Sequence, residues 1–358
     1  MLLRSQKIEI YHASDYIPKY FPIWGGAEQA CIRLADLLYQ NGHSISVITT
    51  TPDQTIHETF NHIPLKVIEN YLPSSVKKPI RFFKSTLFPY DPISHITSKS
   101  LFEKNSPDIL HLHNFSSLSF SLLLSARKHH IPTVMSVYDF WFICPEGFCW
   151  LLSDYLSYSG EPCKKYHGAY CIQCSSKYIP INLLQKTILS SILPFRKKIF
   201  DYFLKQLDGF IVLSEDNGRI LEQYGIPINK IHVVHIPLVD EVARTETSTS
   251  SKIEKYSILY TGWSHPRKGM RVIVEAMPHV VKSFPNARLY ILGGSYDSRY
   301  EEIITRFIRK NNLENNIHLL GKKTHAIVQQ YIRKAHVLVI PEQWETIPPN
   351  TLTEAMVF

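Results

Sequence analysis

No apolar run in this sequence approaches the roughly 20 residues that a helix needs to cross a bilayer. The first residues, MLLRSQKIEIYHAS, lack the long apolar stretch and the small-residue cleavage site of a secretory signal. Internal repeats are absent, and the polar run TETSTSS is the one stretch of low complexity. These absences make a folded, cytoplasmic protein the default expectation.

The chain does have ample apolar surface and an excess of positive charge. Hydrophobic residues make up 44% of the sequence against 20% charged, which excludes wholesale disorder. At 358 residues, the chain exceeds an ordinary domain of about 150, so we expect two domains. The net charge of +8 attracts anions such as phosphorylated small molecules, an acidic membrane face or nucleic acid. Because no nucleic-acid recognition motif is present, we expect no nucleic-acid partner.

Predicted strands alternate with predicted helices along the chain. Residues 8–13 and 43–50 are strand-like, and apolar residues between 27 and 38 recur at the spacing of a helix buried on one side. Further strand-like runs that end in polar residues occupy 108–114, 133–139 and 209–215. This order predicts an α/β fold with a parallel sheet, in which ligands bind at the carboxyl ends of the strands.

The polar run TETSTSS predicts a boundary between two domains. We expect a first domain over residues 1–244, with a cysteine-containing insertion at about 140–180, and a linker over 245–256. A second α/β series follows over 257–358. Its last predicted helix begins near Asn350 and the sequence stops at Phe358, so we expect this second domain to be incomplete.

Several motifs occur in a specific order along nearly the whole chain. They are WGGAE at 24–28, then IVLSE, YGIP and KIHVVHIP, and finally YTGWSHPRKG, LYILGG, IHLLGKK and PEQWETIPPNTLTEAM. In this order they resemble glycosyltransferase family 4, whose GT-B fold has two Rossmann-like domains that face a cleft. The resemblance implies retaining transfer of a sugar from a UDP or GDP donor to a hydroxyl acceptor. It also implies a role in cell-surface polysaccharide or glycolipid synthesis, with no cofactor required for catalysis.

The resemblance implies that the donor is held mainly by the second domain. Lys268 would bind the pyrophosphate, and Glu354 would accept hydrogen bonds from ribose hydroxyls. The full set of expected donor-binding residues is Gly25, Gly26, Gly262, Arg267, Lys268, Gly293, Lys322, Glu345, Asn350, Thr351, Leu352 and Glu354. Two positions depart from the family pattern, because Trp263 replaces a phosphate-binding Arg and Glu345 is displaced by one residue. For Gly25 and Gly26, the alternative is a tight turn without a ligand.

The acceptor side is expected near His113 and Tyr138, which with Lys268 are the predicted catalytic residues. Tyr138 stands where the family has a histidine, and it can bind a sugar hydroxyl but cannot share a proton near neutral pH. His111 and His113 alternate by two, so they lie on the same side of a strand. A metal at this pair is the alternative, and an unsupported histidine pair favours it little.

Four cysteines, Cys144, Cys163, Cys171 and Cys174, have a spacing similar to that of structural zinc ligands. Free thiols are the competing interpretation. Two basic and aromatic segments, 76–88 and 183–205, predict contact with an anionic membrane surface. An amphipathic core helix with a solvated basic edge is the alternative for both. The family resemblance implies a lipid-linked or glycan acceptor and, with it, a location on the inner face of the membrane. A non-catalytic binding or partner subunit is the rival to the enzyme, because of the altered anchor residues and the truncation.

Overall fold

The structure is a computed structural model of the chain, and it describes residues 7–15, 26–50, 60–154, 156–157, 159–164, 169–178, 182–235, 254–295, 297–344 and 349–357. The chain divides into two compact units. The first unit consists of residues 1–149 and 163–237, and the second consists of residues 150–162 and 238–358. Most of the predicted linker, residues 245–253, lies outside the described residues.

Strands and helices alternate, as the sequence predicts. The strands are β1 (Glu9–Ala13), β2 (Ser44–Thr49), β3 (Asn61–Pro64), β4 (Ile109–Leu112), β5 (Thr133–Ser136), β6 (Trp150–Asp154), β7 (Ser159–Pro162), β8 (Gly209–Val212), β9 (Ile231–Val233), β10 (Ser257–Thr261), β11 (Arg288–Leu292), β12 (Ile317–Gly321) and β13 (Val337–Leu338). The helices are α1 (Gly26–Gln40), α2 (Ser74–Thr86), α3 (Pro92–Lys104), α4 (Ser121–Lys128), α5 (Ala169–Tyr178), α6 (Leu183–Leu204), α7 (Glu215–Tyr224), α8 (Met270–Ser283), α9 (Ser298–Lys310), α10 (His325–Lys334) and α11 (Asn350–Val357).

In the described part of the first unit, seven parallel strands form one sheet in the order β3-β2-β1-β4-β5-β8-β9. β1 pairs with β2 on one side and with β4 on the other, so the direction of winding reverses between β1 and β4. Open α/β sheets bind ligands at such a reversal, outside the carboxyl ends of the strands. The predicted parallel sheet is confirmed.

The second unit repeats this topology on a smaller scale. Its described strands pair in parallel in the order β12-β11-β10-β13, so the winding reverses between β10 and β13. The two-stranded antiparallel hairpin β6-β7 belongs to this unit by contacts. Each unit has its own apolar core, with Phe115, Phe120 and Phe200 buried in the first and Val274 and Leu289 buried in the second. Each unit therefore offers one ligand position at its own winding reversal.

The two segments predicted to contact a membrane form α2 and α6, and their exposed side chains test that prediction. On α6, Leu184, Ile188, Phe195 and Tyr202 are between 49% and 69% exposed, although they are large and apolar. On α2, Lys84 is buried and forms ion pairs with Glu69 and Asp91 and a hydrogen bond to the Ser117 carbonyl oxygen. Lys84 therefore serves the core, and the prediction that it belongs to a basic surface is wrong. Among the described residues, no helix combines the length and apolarity needed to span a bilayer.

Candidate active site

Three buried histidines meet where the winding of the first sheet reverses. His12 lies on β1 and His111 on β4, and His113 follows β4 directly. Their exposed fractions are 0%, 4% and 2%. The His111 and His113 rings stack with centroids 4.1 Å apart, so the prediction that these two lie on the same side is confirmed. Sequence reasoning missed His12, although the register of β1 with β4 places it directly beside His111.

Hydrogen bonds link these histidines to the polar end of β5. His12 Nδ1 lies 2.9 Å from His113 Nε2, and His113 Nδ1 lies 2.9 Å from the Tyr138 hydroxyl. Burial, followed by the neighbouring histidines, holds the pKa values of His12 and His113 well below the usual 6.5. Burial likewise raises the pKa of Tyr138. At neutral pH these side chains are therefore uncharged, with both rings neutral and the phenol protonated.

A small cleft opens beside this chain of hydrogen bonds. His113, Tyr138, Asn114 and Trp141 are among its lining residues, and Ala27 of α1 contributes from the facing helix. The Asn114 side-chain amide donates to the Glu28 carboxylate over 2.7 Å, which fixes the start of α1 against the loop after β4. Gly26 begins α1, whereas Gly25 lies outside the described residues. The two predicted acceptor-side residues, His113 and Tyr138, thus share one cleft.

One group of described side chains has the composition of a metal site. A ring nitrogen of His12, a ring nitrogen of His113 and the Cys31 sulfur lie within 4.8 Å of one another. Burial, and then the nearby Glu28, raises the pKa of the Cys31 thiol, so the thiolate that a metal needs is disfavoured. Two nitrogens on one tetrahedral zinc stand about 3.3 Å apart, given bonds of about 2.05 Å. The observed distance of 2.9 Å between His12 Nδ1 and His113 Nε2 is instead that of a hydrogen bond.

A buried arginine of α6 holds the loop after β5 in place through hydrogen bonds. The Arg196 guanidinium, 0% exposed, donates to the carbonyl oxygens of Thr86, Trp141, Phe142 and Ile143. Four directed donors are the reason an arginine suits this position, because a lysine has neither the planar fork nor the reach. Arg196 therefore determines where the loop carrying Trp141 lies against the cleft.

The predicted zinc cysteines lie in the loop after β5, after β7 and on α5, and Cys144 and Cys171 are close enough to Arg196 to act on its charge. A hydrogen bond from the Cys149 thiol, aided by the backbone amides of residues 146, 148 and 149, lowers the pKa of Cys144 to about 6. Cys163 donates its amide to the Cys149 carbonyl oxygen over 2.7 Å, and Cys171 and Cys174 lie one turn apart on α5. All six cysteines lie among the described residues, and no disulfide joins any of them. The zinc site over Cys144, Cys163, Cys171 and Cys174 stays a prediction.

In the second unit, glycines let the loops at the strand ends approach closely. A Cβ added to Gly293 would lie 1.6 Å from the Gly262 carbonyl oxygen, and one on Gly269 would lie 1.7 Å from the Pro341 carbonyl oxygen. Gly269 also has a φ of +71°, which side chains rarely tolerate. These contacts draw the loops after β10, β11 and β13 together, so the predicted residues Gly262 and Gly293 are in direct contact.

Charged residues lie at the winding reversal of this second sheet. Lys268 is in the turn before α8, and its Nζ lies 2.5 Å from Glu342 Oε1 in the loop after β13. Burial lowers the pKa of Lys268, and the Glu342 carboxylate opposes that shift. The Arg267 guanidinium stacks on the Trp344 ring, 5.0 Å from its centroid. Lys268 is thus held at the strand ends rather than solvated as an isolated surface lysine.

Glu354 lies on α11 and is 3% exposed. Its Oε1 lies 2.9 Å from His325 Nε2 at the start of α10, so α10 and α11 meet through this pair. The predicted residues Asn350, Thr351 and Leu352 form the first turn of α11, where backbone amides lack helical partners. Lys322 is exposed directly after β12, and Glu345 lies outside the described residues. The roles predicted for these residues stay predictions.

Family models match both parts of the chain. Glycosyltransferase Family 4 matches residues 24–238, and Glycosyl transferases group 1 matches residues 255–358. The first match alone covers more than half of the 358 residues. The chain therefore belongs to the glycosyltransferases of family 4, group 1, and both the predicted family and the predicted transferase class are confirmed.

Curated relatives agree with this family. The chain is 27% identical over 187 residues to the uncharacterized glycosyltransferase MJ1059 of Methanocaldococcus jannaschii, which covers 49% of this chain and 43% of that protein. It is 22% identical to the alpha-monoglucosyldiacylglycerol synthase of Acholeplasma laidlawii, over 91% of this chain and 73% of the relative. It is also 22% identical to the phosphatidyl-myo-inositol mannosyltransferase of Mycolicibacterium smegmatis, over 95% and 72%. This chain thus spans less than half of the first relative and about three quarters of the other two.

Among solved structures, HepE of Anabaena in complex with UDP and glucose is similar in fold. The TM-score is 0.60 at 12% identity, over 98% of this chain and 78% of that one. At this identity the likeness concerns the fold alone. It confirms the predicted α/β fold of the GT-B class.

Proposed function

We propose that this chain transfers a sugar from a nucleoside diphosphate donor, UDP- or GDP-linked, to a hydroxyl of a lipid acceptor with retention of configuration. The observation that carries the proposal is the pairing of two unlike sites, one at each winding reversal. The second unit offers Lys268, Arg267 and the amides at the start of α11, which suit a pyrophosphate. The first unit offers the neutral His113 and Tyr138, which suit hydroxyl groups.

The charge on the leaving nucleoside diphosphate would be stabilised by groups that are already in place. Lys268 would supply a positive charge. The glycines at 262 and 293, whose loops approach each other closely, would let backbone rather than side chains face an anion. Glu354 would accept hydrogen bonds from a ribose diol, since its two oxygens can take both protons. Lys268 already donates a hydrogen bond to the Glu342 carboxylate, so a phosphate must share Lys268 with Glu342 or displace Glu342 from it. This preorganisation supports catalysis by the chain's own residues.

A lipid acceptor and a membrane surface are supported by α6. Leu184, Ile188, Phe195 and Tyr202 are spaced by four, seven and seven residues, so they form one stripe about 27 Å long. The opposite face of the helix, with Leu193, is buried in the protein. An ordinary core helix with a basic edge would not expose a second apolar face. Two relatives, by name a monoglucosyldiacylglycerol synthase and a phosphatidyl-myo-inositol mannosyltransferase, point to the same class of acceptor.

Calorimetric titration of the full chain with UDP, GDP and ADP tests the donor site. We expect saturable binding of one nucleotide, which Glu354→Ala abolishes and Glu275→Ala preserves. Glu275 is the matched control because it lies on α8 of the same unit, 40% exposed, in an ion pair with Arg271. Absence of binding by the folded chain would contradict the proposal and favour a non-catalytic binding subunit.

Sedimentation with vesicles tests the membrane surface. We expect the chain to bind phosphatidylglycerol vesicles more than phosphatidylcholine vesicles, and the double variant Leu184→Ser, Ile188→Ser to lose most of that binding. The control is Ile96→Ser, because Ile96 on α3 is 63% exposed but does not belong to the stripe. Equal sedimentation of both variants would remove the membrane from the proposal.

A further inference from the structure

His12 uses only one of its two ring nitrogens. Nδ1 faces His113 Nε2 at 2.9 Å, whereas Nε2 is buried without a hydrogen-bond partner among the described residues. A neutral imidazole carries one N–H, and its other nitrogen is a bare acceptor. Since a buried N–H without an acceptor is rarer and more costly than an unused lone pair, the bare nitrogen is Nε2. The proton of His12 therefore lies on Nδ1.

This assignment fixes the direction of every following hydrogen bond. Because His12 Nδ1–H donates, His113 Nε2 must accept, and it carries no proton. The single proton of His113 therefore lies on Nδ1, where it donates to the Tyr138 oxygen 2.9 Å away. Burial holds the pKa values of both rings well below the usual value, which keeps each ring at one proton at neutral pH.

The hydroxyl proton of Tyr138 must then go elsewhere. Ser136 is its other polar neighbour, with an oxygen 2.8 Å from His111 Nε2. His111 Nε2 already engages that oxygen, and the hydrogen bond that the structure gives to the Tyr138 hydroxyl is the one from His113. With the His113 N–H on the Tyr138 oxygen, the direction left for the Tyr138 O–H is the cleft that Tyr138 lines together with Asn114 and Trp141.

We propose that His12 is a positioning residue that acts through His113 to make Tyr138 a hydrogen-bond donor to whatever binds in this cleft. The ligand atom opposite Tyr138 is then an oxygen lone pair, of a hydroxyl, ether or carboxylate group, and not an N–H donor. Tyr138 in this state cannot take a proton from an acceptor hydroxyl. The identification of that ligand as the acceptor substrate rests on the proposed function, whereas the direction of the chain does not.

Nuclear magnetic resonance reads the proton positions directly. Long-range ¹H–¹⁵N correlation of the chain labelled with ¹⁵N-histidine distinguishes the two neutral tautomers at pH 7.5, and His12→Asn and His113→Asn identify the two signals. We expect both residues as the Nδ1–H tautomer. His43 is an internal reference, since its Nδ1 is the buried nitrogen without a partner, so it should be the Nε2–H tautomer. His113 protonated on Nε2 would overturn the proposal.

Zinc titration separates this chain of hydrogen bonds from a metal site on the same side chains. We expect no stoichiometric zinc at micromolar concentration that depends on Cys31. Zinc binding that Cys31→Ser abolishes would overturn the proposal, because a metal would replace the proton between His12 and His113.

A double-mutant cycle tests the effect on the substrate. His12→Phe should raise the acceptor KM about 3- to 10-fold, the value of one misdirected hydrogen bond, and leave kcat little changed. In a Tyr138→Phe background, the same change should have no further effect, whereas a merely structural role of His12 would add in full. His12→Asn, which retains a donor, should restore most of the loss. If the donor titration fails while the tautomers are as expected, the proposed function falls and the positioning chain stands.

Discussion

The two units place their polar residues at equivalent points of similar sheets but use opposite chemistry. At the reversal between β1 and β4, the first unit has buried, neutral rings that are hydrogen-bonded to one another. At the reversal between β10 and β13, the second unit has Lys268, Glu342 and Arg267, all charged. One topology thus carries neutral, hydrogen-bonding rings in one unit and ion-paired side chains in the other, because the side chains and not the fold set the chemistry.

The largest expected effect comes from removing Arg196, which holds the loop after β5 beside the histidine cluster of the first unit. Arg196→Leu leaves the carbonyl oxygens of Thr86, Trp141, Phe142 and Ile143 without their donor, so we expect the first unit to lose about 3–5 kcal/mol of stability. Urea unfolding, followed by the tryptophan fluorescence, measures the loss. Arg219→Leu is the control, because Arg219 is 63% exposed on α7 and should change stability little. A similar loss in both variants would assign the effect to charge alone.

Acid should lower the stability of the first unit much more than that of the second, by an amount close to the effect of Arg196→Leu. Burial lowers the pKa of His111 and of His265 to about 4 and those of His12 and His113 well below 6.5, so the unfolded chain binds protons that the folded chain does not. Stability is then full above about pH 6.5 and falls as the pH drops toward 4. Between pH 7 and 5.5, each buried ring costs about 1.2 kcal/mol, which sums to about 4 in the first unit and about 1 in the second.

Calorimetric melting at the two pH values measures this difference. His111→Asn should reduce the histidine-dependent loss of stability of the first unit by about one third, because it removes one of the three buried rings His12, His111 and His113. His318→Asn is the control, because His318 lies on β12 of the other unit, outside this cluster. A pH dependence that His111→Asn leaves unchanged would contradict the histidine origin.

The sequence predicts the fold well because its signals are local. The β-branched runs and the apolar helix spacing identify strands and helices, and the polar residues singled out after β4 and β5, His113 and Tyr138, line one cleft. His12 and Cys31 escaped prediction because nothing local connects them to His113. Their proximity depends on the pairing of β1 with β4 and on the packing of α1. Arg196 and Lys84 both fall in segments that were predicted to form basic surfaces. Composition does not show that Arg196 binds buried carbonyl oxygens and that Lys84 binds buried carboxylates.

Disrupting the contact between Gly293 and Gly262 tests whether the strand ends of the second unit bind the nucleotide. Gly293→Ala forces its Cβ against the Gly262 carbonyl oxygen at 1.6 Å, so the loops after β10 and β11 must separate. We expect nucleotide affinity to fall about 100-fold, the cost of overpacking against backbone. Titration calorimetry measures it, with Gly209→Ala in the first unit as control because its Cβ would meet nothing closer than 3.6 Å. Unchanged affinity would mean that this cradle does not face the nucleotide.

The smallest effect concerns Lys268, because it already has a partner. A lysine that is free in the apo protein would contribute a whole charge-assisted bond to phosphate, whereas Lys268 exchanges Glu342 for it. We therefore expect Lys268→Ala to weaken nucleotide binding only about 10-fold, less than a full bond to a charged group would give. Glu342→Gln should tighten binding a few-fold, since the phosphate no longer competes with a carboxylate. Lys282→Ala on α8 is the lysine control. If Glu342→Gln weakens binding instead, Glu342 holds Lys268 in place for the phosphate, and the ion pair is part of the site rather than its competitor.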